Sequence, residues 1–178
     1  MDSTTNGRSV KAGASRSHSF TGAATWTGGT LYGAGSTNFD GSLAISGNGS
    51  KYIEGNRIVN LTGVTTWSGN TAHDQNNIYL FSGGTISNSG TFNDANAFAS
   101  QFYGYSGYTN AFNNAGTYNK QNATTTTVGV AFNNTGVTNI NAGTMYLTNG
   151  GTSTGAFNIA NGATLNLGGG THNLNNAT

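Results

Sequence analysis

"AFNNAGTYNKQNATTTTVGVAFNNTGVTNI" occupies Ala111–Ile140 and contains the word AFNN twice, at Ala111 and at Ala131. The interval is 20 residues. The same step returns downstream, where AGTMYL begins at Ala142 and GATLNL at Gly162, so that Met145 corresponds to Leu165 and Leu147 to Leu167. Upstream, TGAATWTGGT from Thr21 and TGVTTWSGNT from Thr62 lie 41 residues apart, about two such steps, which makes Trp26 equivalent to Trp67. NSGTFN from Asn88 and NAGTYN from Asn114 lie 26 apart, which is one step plus an insertion of about six residues.

Recurrence at 20 to 50 residues is the mark of a solenoid or an array. This unit is too short for a pair of helices. Its content is strand-like: runs such as SLAIS, RIVNL and ATLNL alternate apolar and polar residues between Gly and Asn. A chain that coils once per unit stacks each residue on its counterpart one lap earlier. Phe132 then sits on Phe112, Asn133 on Asn113 and Leu165 on Met145. Backbone hydrogen bonds run between laps at ~4.8 Å, and stacked Asn amides bond to one another along the ladder. The architecture expected is an all-β, single-stranded parallel β-helix with rungs of about 20 residues. The alternative is an antiparallel β-sandwich, with Asn48-Gly49, Asn149-Gly150 and Asn161-Gly162 as type I′ hairpin turns. A sandwich does not require apolar and Asn positions to recur together. The best helical candidate is DANAFASQF, from Asp94.

Composition agrees with a coil. The 178 residues are 34% hydrophobic and 6% charged, with 29 Gly and neither Pro nor Cys. Stacked strands use both N–H and C=O, which excludes Pro, and like charges stacked rung on rung repel. Gly and Asn tolerate the left-handed backbone that corners require. Without Cys there are no disulfides and no thiolate metal sites. The formal net charge of +1 includes Arg8, Lys11 and Arg16 in the first 17 residues, so no basic stripe exists for nucleic acid. No apolar run reaches the length of a membrane helix, and MDSTTNGRSVKAGASRSHSF lacks the apolar region of a complete secretory signal. Residues 1–17 read as a flexible leading segment or the edge of an excised piece. Residues 18–178 read as the solenoid, a fragment of a longer chain, with an aromatic-rich insertion near 94–110.

Candidate sites are few. Glu54, Asp74 and Asp94 are spaced by 20, and under a uniform 20-residue rung they form a carboxylate column able to hold a cation or an acid/base pair. The bland reading is three solvated turn residues. Phe102, Tyr103, Tyr105 and Tyr108 in the insertion offer aromatic surface for a sugar ring or a partner; otherwise they form a small satellite core. His73 beside Asp74 invites a triad, but GTSTG from Gly151 lacks the following helix of a nucleophile elbow. His18, His73 and His172 are scattered as surface residues are. No cofactor is indicated.

The phrases TWTGGTL, GSLAISGNGSKYIEGNRIVNLTG, SNSGTFND, VGVAFNNTGVTNINAGTMYL and GATLNLGGGTHNL resemble the repetitive passenger and stalk regions of large bacterial surface proteins, the autotransporter-like and filamentous-haemagglutinin-like adhesins. The resemblance runs from about Phe20 to Leu174. It implies a right-handed β-helix at the bacterial cell surface or outside the cell, acting as a structural stalk or adhesin module. Exposed end strands make further copies a partner, with self-association of the stiff rod into fibres, and the aromatic insertion makes host or environmental glycans another. The aromatic NAFASQFYGYSGYTNAF departs from the usual spacing segments. Other functional readings are a carbohydrate-binding or carbohydrate-cleaving β-helix and, from Thr25, Thr27, Thr65, Thr66 and Thr124 to Thr127, an ice-binding solenoid.

Overall fold

The computed structural model describes residues 10–11, 16–69 and 77–175. Every regular element among them is a strand, and every strand pair is parallel. Three strands make one lap, and each lap lies on the one before it. One sheet of eight strands runs from Val10–Lys11 to Thr164–Leu167, a second of eight from His18–Phe20 to His172–Leu174, and a third of seven from Ala24–Trp26 to Ala156–Ile159. The result is a β-solenoid of about seven turns with rungs of roughly 22 residues. Wholly parallel pairing removes the sandwich, and the Asn-Gly turns lie between parallel strands instead of closing hairpins.

The register is the one that the repeated words require. Phe112 pairs with Phe132, Asn113 with Asn133, and Met145 with Leu165. The 41-residue interval between the tryptophans resolves into two laps, Trp26 to Ile45 and Ile45 to Trp67. Phe92 pairs with Tyr118 across the 26-residue step.

Alternate residues of each strand point inward and build columns. The Phe112 and Phe132 rings stack at 5.6 Å, and Phe92 and Tyr118 at 5.3 Å with an interplanar angle of 8°. The two columns meet edge to face, as in Phe112 against Tyr118, the arrangement that ring quadrupoles favour. Trp26 and Trp67 are both interior, and Trp67 packs on Phe102 at 4.7 Å. Asparagine ladders run inside and outside. Within the core Asn88 donates to Asn114 at 2.8 Å and Asn114 to Asn134 at 2.9 Å. On the surface Asn133 donates to Asn113, and Asn158, Asn139, Asn119 and Asn93 form a continuous chain of amides.

The three corners differ. Between the second and third sheets the connection is constant: Phe39 to Leu43, Leu61 to Thr65, Asn88 to Phe92, Asn114 to Tyr118 and Asn134 to Thr138 each span four positions in register. A column of glycines occupies this corner: Gly22, Gly41, Gly63, Gly90, Gly116, Gly136 and Gly155. A Cβ on any of the last six would lie 2.1–2.3 Å from the carbonyl oxygen of the glycine one rung earlier. Close approach, not dihedral freedom, selects glycine here. The corner from the first sheet to the second varies. It spans seven positions from Lys51 to Ile58 and from Ile78 to Thr85, nine from Phe102 to Ala111, and three from Val128 to Ala131.

Three expectations change. DANAFASQF is not helical: Asp94 closes one strand and Ser100–Gly104 forms another, because Phe102 fills the inward slot between Ile78 and Val128. The insertion is narrower than 94–110. Asp94 to Phe102 spans eight positions, as does Lys120 to Val128, so the six extra residues all fall between Phe102 and Ala111. The stack also begins before residue 18. Val10–Lys11 pair with Leu31–Tyr32, and the Arg57 guanidinium donates to the Arg16 carbonyl at 2.8 Å.

Candidate functional site

The outward face of the first sheet carries an aromatic strip. Thr30, Tyr52, Tyr79 and Tyr103 are register neighbours on successive rungs. Beside them Tyr32 pairs with Glu54, and the next two rungs place Phe81 and Tyr105 in the same line, since the Phe81 amide donates to Ile53 and the Tyr105 amide to Leu80. In the lower strip Tyr52 and Tyr79 stack at 4.9 Å and 21°, so each covers a face of the other. In the upper strip the rings turn. Tyr103 meets Tyr79 at 54° and Phe81 at 87°, and Tyr105 meets Phe81 at 80°.

The strip ends at a step. Phe102 pairs with Val128, so the position above Tyr103 is Gly129, which has no side chain. The corner shortens there from nine positions to three, and Tyr103–Asn110 is left as a projecting ledge. Tyr103 is 39% exposed, Tyr105 57% and Tyr108 55%. The ledge is anchored. Asn110, 4% exposed, donates to the Tyr105 carbonyl at 3.3 Å and accepts from the Gly83 amide at 3.1 Å. Gly107 turns it with φ of 89°, a conformation suited to glycine.

The ledge is also uncharged. From Ala95 to Thr178 the sequence holds one Lys, Lys120, one His, His172, and no Asp, Glu or Arg. Lys120 is wholly buried.

Tyr103, Tyr105 and Tyr108 are thus all exposed on one short segment. Phe102 does not: strand parity turns it inward, and it is fully buried against Trp67, Phe92 and Phe112. Tyr52, Tyr79 and Phe81 join the site without having been singled out by sequence. Their spacing of 27 between Tyr52 and Tyr79 hides the column from a search for 20.

The carboxylate column does not form. Glu54 ends a strand of the first sheet and Asp94 a strand of the third, because the local steps are 27 and 26, not 20. Asp74 and His73 lie outside the described residues. Among the described residues no three His, Asp or Glu side chains are grouped to hold a metal. Asp94 is instead the centre of a sealed network. Its carboxylate accepts from Asn96 at 2.8 Å, from the Tyr118 hydroxyl at 3.0 Å and from Thr126. Burial, reinforced by the Asp94 charge and hydrogen bond, pushes the Tyr118 hydroxyl well above its ordinary pKa. One rung on, Lys120 donates to the Asn122 carbonyl and to Thr124 at 3.1 Å, its pKa lowered by burial and partly restored by Asp94. Lys51 is sealed likewise, donating to the Gly47 and Gly49 carbonyls at 3.1 and 2.9 Å, and burial lowers its pKa to about 8. Ser153 of GTSTG points inward and is 3% exposed.

No family model, curated protein or solved structure matches this chain. No helix among the described residues is long and apolar enough to cross a membrane.

Proposed function

We propose that this chain is a non-catalytic contact segment of a secreted or surface-displayed bacterial protein, a stiff stalk of adhesin type that touches its target through the aromatic ledge. The observation that carries the reading is the exposed trio Tyr103, Tyr105 and Tyr108 on an anchored loop at the end of a ladder of packed rings. Exposed aromatics cost solvation free energy and mark sites of contact when they cluster. The stacked laps supply rigidity, so the tyrosines stand in fixed positions and little ordering entropy is lost on contact. Eight-stranded sheets at ~4.8 Å per rung give roughly 34 Å along the axis. Secretion and the adhesin class come from the sequence resemblance. The non-catalytic reading is supported by the burial of Asp94 and its separation from Glu54, since glycoside hydrolysis uses two accessible, facing carboxyl groups.

Beads coated with the chain test this on immobilised cell-wall material, mucin, matrix protein and bacterial envelope. Adherence to at least one surface is expected, with no release of reducing or unsaturated sugar ends. Adherence is expected to be lost in Tyr103→Ala/Tyr105→Ala/Tyr108→Ala. Equal adherence by the triple variant, absence of adherence to every surface, or release of sugar ends would end the proposal.

A further inference from the structure

We infer that the ledge takes an uncharged polysaccharide, laid around the rod and not along its axis. The inference rests on the contact reading above and names the ligand. Three observations carry it. The first is which rings have free faces. Tyr52 and Tyr79 cover one another, so lower on the strip a ligand meets mainly ring edges. Tyr103 has Gly129 above it, and Tyr105 meets its one neighbouring ring edge to face. Apart from Tyr32, a lone ring 50% exposed at the far end of the strip, exposed ring area is concentrated at the step, along the loop from Tyr103 to Tyr108, which runs around the rod. A pyranose presents a face of C–H bonds, apolar and slightly positive, that suits the negative face of an aromatic ring. The second is charge. No charged side chain lies in sequence between Asp94 and Lys120, both of which are buried, and Glu54 belongs to a rung two laps earlier. An acidic polymer has no cation to meet here, and a basic one finds no acid. The third is the polar fringe. Gln101, on the same outward side of the strand as Tyr103, is half-buried, and Ser106 and Thr109 are exposed. Amide and hydroxyl groups of this kind pair with sugar hydroxyls without bringing charge.

Affinity electrophoresis distinguishes the occupants. The native chain is run through gels containing neutral galactomannan, xyloglucan or mixed-linkage glucan, and through gels containing polygalacturonate or heparin. Retardation is expected in at least one neutral gel and in neither acidic gel. Tyr105→Ala/Tyr108→Ala is expected to weaken it at least about tenfold. Both side chains are more than half exposed, so the urea midpoint is expected to hold. Val64→Ala, an exposed apolar residue of the third sheet, is expected to leave retardation unchanged. Retardation that survives the double variant overturns the inference, as does retardation by the acidic polymers alone or by no neutral polymer. Sedimentation showing a dimer that the double variant dissolves also overturns it and names a second copy as the occupant. If the beads adhere through the tyrosines while no neutral gel retards the chain, the ligand class fails and the contact reading stands. If neither result appears, both fail.

Discussion

Gly116 has a negative φ that any residue can adopt, yet its Cα faces the Gly90 carbonyl oxygen so closely that a methyl group there would lie 2.1 Å from it. That oxygen belongs to backbone fixed by the hydrogen bond from Thr117 to Gly90 and cannot swing aside as a side chain would. Gly116→Ala is therefore expected to destabilise the fold by about 2–3 kcal/mol, as overpacking does. Gly22 opens the same column and has nothing within 4 Å of an added Cβ, so Gly22→Ala is expected to fall within about 0.5 kcal/mol of the native chain. Urea denaturation of the two variants checks the pair, and equal losses would refute the close-approach account. The asparagines are governed by a different constraint. Asn114 donates to Asn134 and to the Val137 carbonyl and accepts from Asn88, so its buried amide is partnered on both sides. Burial of these amides is tolerable because each rung supplies a partner to its neighbour, and among the described residues the orphaned oxygen is left at the ladder's first member, Asn88.

Strands that look alike from outside hold different groups inside. Lys51 heads a strand with its ammonium buried, and its pKa of about 8 lies below the ordinary 10.5. Between those values the unfolded chain binds a proton that the folded chain has released, so stability rises with pH there. Tyr118 acts in the opposite sense. Above pH 10 the unfolded chain gives up a proton that the folded chain keeps, and stability falls. A maximum in thermal midpoint is expected around pH 10. Lys51→Met is expected to reduce the rise, to which the buried Lys120 also contributes, and Tyr118→Phe to flatten the fall, each read by calorimetry across pH 7 to 11. A midpoint unchanged between pH 8 and 10 in the native chain would contradict the Lys51 assignment. The strands also show what could be read in advance. Phe112 and Phe132 were legible because the rung between them is short at the first-to-second corner and keeps the 20-residue step. Tyr52, Tyr79 and Tyr103 were not, since they fall 27 and then 24 positions apart: the first-to-second corner is seven positions in both laps, while the third-to-first corner shortens from 13, Thr65 to Ile78, to 10, Phe92 to Phe102. The Glu54–Asp74–Asp94 line failed for the same reason. Phe102 was misplaced because its neighbours Tyr103 and Tyr105 share a face that it does not, and strand parity becomes known only with register.

Along the whole rod each lap touches only the laps before and after it, so cohesion is nearly one-dimensional. In the last rung Ile159, Leu167 and Leu174 occupy inward columns but are 49%, 41% and 47% exposed. The rung just before it already buries two of these columns, at Ile140 and Leu147. Amide hydrogen exchange of the 178-residue chain is expected to show this gradient. Protection in Ala156–Ile159 and Thr164–Leu167 is expected to be at least about tenfold lower than in Ala111–Asn114 and Thr117–Lys120. Uniform protection from end to end would mean that the laps open as one unit. The glycine corner has a consequence for how such a chain changes over generations. Because each lap crosses that corner with the same four-position span and a glycine at its middle, a gene cut and rejoined there in frame exchanges, duplicates or deletes whole laps without shifting the pairing of those that remain. Recombination can thus lengthen the protein at this corner, while the other two are left to vary in sequence and ornament.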